Sequence, residues 1–184
     1  VDIDNKDVQS LLTLASIDIQ QGRYDEASRY LSHAKTMCDA QHRRAENLWI
    51  PAGRREANRK YLLVQIHSAT ATLEEAIGNM ESAILHRKQV IDFGTPFPSF
   101  EWTKLGHLHL QMKDTIRAKQ AYVRALIETS DYPDAKHALL SLWPGHLSRH
   151  VREDSIASLI SASLLSEIVS APDFSGHDLN DDNI

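Results

Sequence analysis

Apolar residues recur at helical spacing along most of the chain, and short polar or Gly/Pro segments interrupt them. Residues 34 to 48 carry Ala34, Met37, Cys38, Ala45 and Leu48 as one stripe, and residues 57 to 71 carry Ala57, Tyr61, Val64 and Ala71 as another. Further on, Ala135, Ala138, Leu139 and Leu142 share a face, as do Ile156, Leu159, Ile160, Leu164 and Ile168. The interruptions fall at Gly22, Gly78 and Asp114, at Trp49-Ile50-Pro51-Ala52-Gly53, at Trp143-Pro144-Gly145 and at Pro172. Pro and Gly stop helices there, so the pattern predicts an all-α chain of helices joined by tight turns.

The helices repeat. Leu11-Leu12-Thr13-Leu14-Ala15 is followed by Gln21-Gly22-Arg23-Tyr24-Asp25-Glu26-Ala27, then by Leu31 and Ala34. Trp102-Thr103-Lys104-Leu105-Gly106 is followed by Met112-Lys113-Asp114, then by Ala118, Tyr122 and Ala125. A weaker copy between them has Ala71, then Gly78-Asn79-Met80-Glu81-Ser82-Ala83, then Val90. In each copy a small residue (Ala15, Ala71, Gly106) stands where two helices approach, and Ala27, Ala83 and Ala118 are the small residues of the second helix that meet the first. Gly22, Gly78 and Asp114 are expected at the turn between them.

These residues resemble the tetratricopeptide repeat, whose period is about 34 residues. The resemblance spans roughly 8 to 132, as copies over about 8–41, 64–97 and 99–132. The middle copy departs at its opening, with His67 where Trp is usual and Thr70 where Leu is usual. The fold it implies is an all-α solenoid of antiparallel helix pairs. A capping helix over 134–143 is expected to cover the last apolar surface, followed by an amphipathic helix within 144–171 and a mobile acidic tail over 172–184. That amphipathic helix packs on its neighbour or mediates self-association.

The copies are unevenly spaced. Ala83 and Ala118 are 35 residues apart, whereas Gly22 and Gly78 are 56 apart, an excess of 22 over the family period. Shared between two arms, this adds roughly three turns to each of two helices, and predicts a projecting helical hairpin over 42–63 with Trp49 and Ile50 near its tip. A loop is the alternative. Arg43, Arg44, Arg54, Arg55, Arg59 and Lys60 gather on this segment, opposed by Glu46 and Glu56. They form a basic patch that would suit an acidic partner or a phosphate backbone, although a solvated helical surface is the simpler reading.

Composition adds constraints rather than chemistry. A formal charge of −5 carries no field that calls for nucleic acid, and no stretch approaches the roughly 20 apolar residues of a membrane span. The single cysteine, Cys38, excludes an intrachain disulfide and fits a reducing, intracellular setting, cytoplasmic or nuclear. No segment resembles a signal peptide, and a start at Val1 rather than Met suggests a piece of a longer protein. Among the ten histidines, His107 and His109 point to different helix faces, and His146 and His150 have no Cys or acidic residue beside them. No metal site, cofactor site or catalytic motif is expected, and the chain does not read as an enzyme.

The resemblance implies binding along the concave surface lined by the first helix of each pair. The candidate contacts there are Leu12, Ser16, Ile19, Gln65, Thr72, Phe100, Thr103, Lys104, His107, Leu110 and Gln111. Family members that hold chaperone tails have a carboxylate clamp of Lys, Asn, Asn, Lys and Arg. The matching positions here hold Leu12, Ser16, Ala69, Phe100 and Lys104, so only one cation is present. A scaffold or adaptor taking a near-neutral peptide or helix is the function these residues imply. A dedicated small chaperone, or a nucleic-acid helper acting through the basic hairpin, are the alternatives.

Overall fold

The computed structural model describes residues 6–47, 50–142, 156–158 and 160–162. Its helices are α1 (Lys6–Gln20), α2 (Tyr24–Asn47), α3 (Ala52–Ala76), α4 (Met80–Asp92), α5 (Pro98–Gln111), α6 (Thr115–Glu128) and α7 (Pro133–Ser141). They pack as neighbouring pairs, α1 with α2, α3 with α4 and α5 with α6. Each pair also touches the next, through α2 with α3, α4 with α5 and α6 with α7. The result is an all-α solenoid.

The three pairs close with one turn geometry. The amides of Gly22, Gly78 and Lys113 bond the carbonyls of Ile19, Glu75 and Leu110, and the amides of Arg23, Asn79 and Asp114 bond those of Asp18, Glu74 and His109. This is the two-bond helix stop that requires one left-handed residue. Gly22 and Gly78 supply it at φ 73° and 84°, but in the third copy Lys113 does, at φ 62°. The turn position expected at Asp114 is therefore one residue early. Asp114 instead caps α6, its carboxylate accepting from the Arg117 amide at 3.0 Å.

Register then fixes the core. Ala27, Ala83 and Ala118 are all fully buried, as are Ala15 and Ala71 on the opposing helices. At Gly106, a Cβ would lie within 2.7 Å of three atoms of the Tyr122 ring, so the third copy combines a bulky ring with a missing side chain. Two apolar clusters result. One joins Val8, Leu12, Ala15, Leu31, Ala34 and Cys38 to Leu62, Ile66 and Leu73; the other joins Tyr122, Val123 and Leu126 to Ala135 and Leu139 of α7.

Helices α2 and α3 have 24 and 25 residues, against 13 to 15 for α1, α4, α5 and α6. Pro51 precedes α3, and Ile50 is half-buried, its amide 3.4 Å from the Ala45 carbonyl. The other residue expected at the tip, Trp49, lies outside the described residues, as does the tail over 172–184. Of the expected C-terminal helix, 156–158 and 160–162 are helical, and Ile156 and Ile160 pack on the second cluster.

Candidate protein-binding groove

The inner helices α1, α3 and α5 bring most of the expected contacts to one side of the stack. Ser16, Thr72, Phe100, His107 and Gln111 are exposed, and Gln65 and Lys104 are half-buried. The Lys104 ammonium lies 5.4 Å from the centre of the Phe100 ring. That spacing permits a cation–π contact and holds the ring edge-on to solvent-facing partners. His107 meets the edge of Tyr122 at 5.6 Å; burial, then Lys104, pushes its pKa below the ordinary histidine value.

Four expected contacts stand elsewhere. Leu12 is 8% exposed and belongs to the first core cluster, because α1 is flanked by both α2 and α3. Thr103 is 4% exposed, and its hydroxyl donates to the Ser99 carbonyl at 2.7 Å. Neither offers a surface to a ligand. Ile19 and Leu110 are half-buried against the two clusters and act mainly as packing residues.

The middle of the groove contains an arrangement that spacing alone did not reveal. Arg87 of α4 occupies the position that Leu31 and Tyr122 hold in the other pairs, and it is 3% exposed. It donates to Glu75 at 3.0 and 3.1 Å, to Glu101 at 3.0 Å, and to the hydroxyls of Ser68 and Thr72 at 3.4 and 3.3 Å. A buried guanidinium needs such a set, since an unpaired charge in the interior is costly. Burial pushes the Glu101 carboxyl above the ordinary carboxylate range while Arg87 pulls it back. The Glu75 carboxylate, one of two charged groups expected in the groove, is thus held from below.

Beside this network, His67 fills the position of Leu11 and Trp102. Its Nδ1 is 2.9 Å from Nδ1 of His86, and its ring stacks on those of His86 and Phe93. Burial, helped by His86 and Lys35, lowers its pKa to about 4. Departure from the family pattern at the middle copy is therefore a replacement of apolar packing by buried polar pairs.

The basic hairpin is less bare than its sequence. Arg59 lies 3.6 Å from Asp39 across the two helices, a partner overlooked because it is twenty residues away along the chain. Arg55 and Arg59 line a cleft with Cys38, Gln41, His42 and Leu62, while Arg43, Arg44, Arg54 and Lys60 are exposed. Among the described residues, no group of three or more His, Cys, Asp or Glu is placed to hold a metal. No described helix is long and apolar enough to cross a membrane.

Residues 8–40 and 102–126 match the family model described as tetratricopeptide repeat. The chain carries tetratricopeptide repeats. The matched segments are the first and third pairs, and the unmatched one is the pair in which His67 and Arg87 replace apolar residues. No curated protein matches the chain. Tetratricopeptide repeats generally serve as protein–protein interaction modules and are typically non-enzymatic.

Proposed function

We propose that this tetratricopeptide protein is a scaffold or adaptor that holds an extended segment or helix of another protein in its concave groove, without catalysis of its own. The observation that carries this reading is the exposed inner row of Ser16, Thr72, Phe100, His107 and Gln111, uncharged apart from neighbouring Lys104 and Arg87-bound Glu75. Amides and hydroxyls of this kind bond a peptide backbone, and Phe100 offers an apolar anchor. The clamp positions Leu12, Ser16, Ala69 and Phe100 bring no cation, which speaks against an acidic chaperone tail as the ligand. Arg59 paired with Asp39 speaks likewise against a phosphate backbone on the hairpin.

The test is quantitative affinity purification of the chain beside a variant carrying Ser16→Arg, Thr72→Arg and Phe100→Arg, with far-UV circular dichroism to confirm folding. Partners captured by the parent should be lost from the folded variant. Retention at parental levels would place binding on another surface.

A further inference from the structure

The repeat register exposes an unfilled position at the N-terminal edge of the stack. The residues of each inner helix that face the preceding pair fall in three rows: Ser10, Ile66 and Glu101; Leu14, Thr70 and Leu105; Ile17, Leu73 and Leu108. In α3 and α5 they are covered by α2 and α4. Ile66 is 2% exposed, Leu73 4%, Leu105 1% and Leu108 2%. On α1 the same rows are open, with Leu14 at 43% and Ile17 at 41%. The opposite edge differs: α7 covers α6, and Ile156 and Ile160 pack onto that cluster.

We propose that the outer face of α1, centred on Leu14 and Ile17, seats an amphipathic helix of a partner protein in the way that α2 seats on α3. The interfaces inside the chain define what fits. Where α2 meets α3, the contributed residues are Leu31, Ala34 and Cys38, apolar and mostly small. The rim of the α1 face is uncharged, with Ser10, Thr13, Gln20 and Gln21 all exposed, so the incoming helix presents an apolar, uncharged stripe. A second copy of this chain does not supply it, since α2, α4 and α6 already lie against α3, α5 and α7. Two α1 helices packed on each other would join only Leu14 and Ile17 of each, well under the roughly 800 Å² per partner of a stable interface. This surface is separate from the concave groove, and neither depends on the other.

The probe is a fluorescein-labelled peptide of this chain's own residues 24–41, which carries the Leu31, Ala34, Cys38 stripe, used in reducing buffer. Its anisotropy is titrated with the full chain, whose mass is followed by light scattering at the same concentrations. The expected result is a monomeric chain and saturable binding. Leu14→Glu with Ile17→Glu should weaken binding roughly tenfold or more, while Phe100→Arg leaves it unchanged. Both substitutions are at exposed sites, so the variant should keep its circular dichroism. No saturable binding, binding indifferent to the double substitution, or a dimer of the chain that the double substitution dissolves would each overturn the proposal. Loss of binding with Phe100→Arg would move the site to the groove.

Discussion

Removing the Arg87 guanidinium should cost far more than an arginine on a repeat surface would suggest. Arg87→Ala leaves the Glu101 carboxyl, 5% exposed at its side chain, without the charge that holds it, while Glu75 at 26% can turn to water. Breaking a buried pair from one side typically costs about 3–5 kcal/mol. Urea unfolding followed at 222 nm reads it. With a slope of about 2 kcal/mol per molar, the midpoint should fall by about 1.5–2.5 M. The deficit should shrink on acidification, because an unpaired buried carboxyl takes up a proton rather than remain charged. The companion variant replaces both partners, Arg87→Leu with Glu101→Ile, giving the middle copy the residues that stand in register at Leu31 and Ile66. Replacing a buried pair by apolar residues is often neutral or stabilising, so this double variant should recover to within about 1 kcal/mol of the parent. A loss under about 1 kcal/mol for Arg87→Ala, or a double variant no better than the single, would refute this account of the network.

Other outcomes follow from the same register. Gly106→Ala should destabilise by about 1–3 kcal/mol, read by thermal melting, and adding Tyr122→Leu should restore most of it. Lys113→Gly should stabilise by about 0.5–1 kcal/mol, since relief of a left-handed lysine exceeds the entropy of a new glycine. His67 is a base whose folded pKa, about 4, lies below its ordinary 6.5, so the unfolded chain takes up the extra proton. Its stabilising contribution is whole above pH 6.5 and is lost as pH falls towards 4, by about 3 kcal/mol in all. His67→Phe should flatten the stability profile across that window, and an unchanged slope in a urea series would count against the buried histidine pair.

The sequence made the repeat frame legible because small residues in contact seams leave few alternatives. Ala27, Ala83 and Ala118 and the pair Ala15 and Ala71 repeat in identity as well as position, and Gly22 and Gly78 mark two turns by themselves. The third turn misled because a lysine supplies the left-handed residue, and the neighbouring Asp114 looks like the better turn former. Arg87 and Glu101 were invisible for a different reason: charge in a helical pattern reads as solvent-facing, and only three-dimensional proximity shows that two acids bury one base. The groove register was one turn too generous at Leu12 and Thr103. An inner helix is flanked by two neighbours, so residues beside its exposed strip are already taken up in packing.

Site-specific photocrosslinking tests the groove as a protein-binding surface most directly. A benzoylphenylalanine is placed singly at Thr13, Thr72 and Gln111 on the inner helices, and at Ser28 and Lys88 on the outer helices, all exposed positions. Irradiation in a lysate of the native host, analysed by mass spectrometry, should yield one common protein adduct from the inner three and none of it from the outer two. Adducts to that protein from Ser28 or Lys88, with none from Thr13, Thr72 or Gln111, would contradict the account.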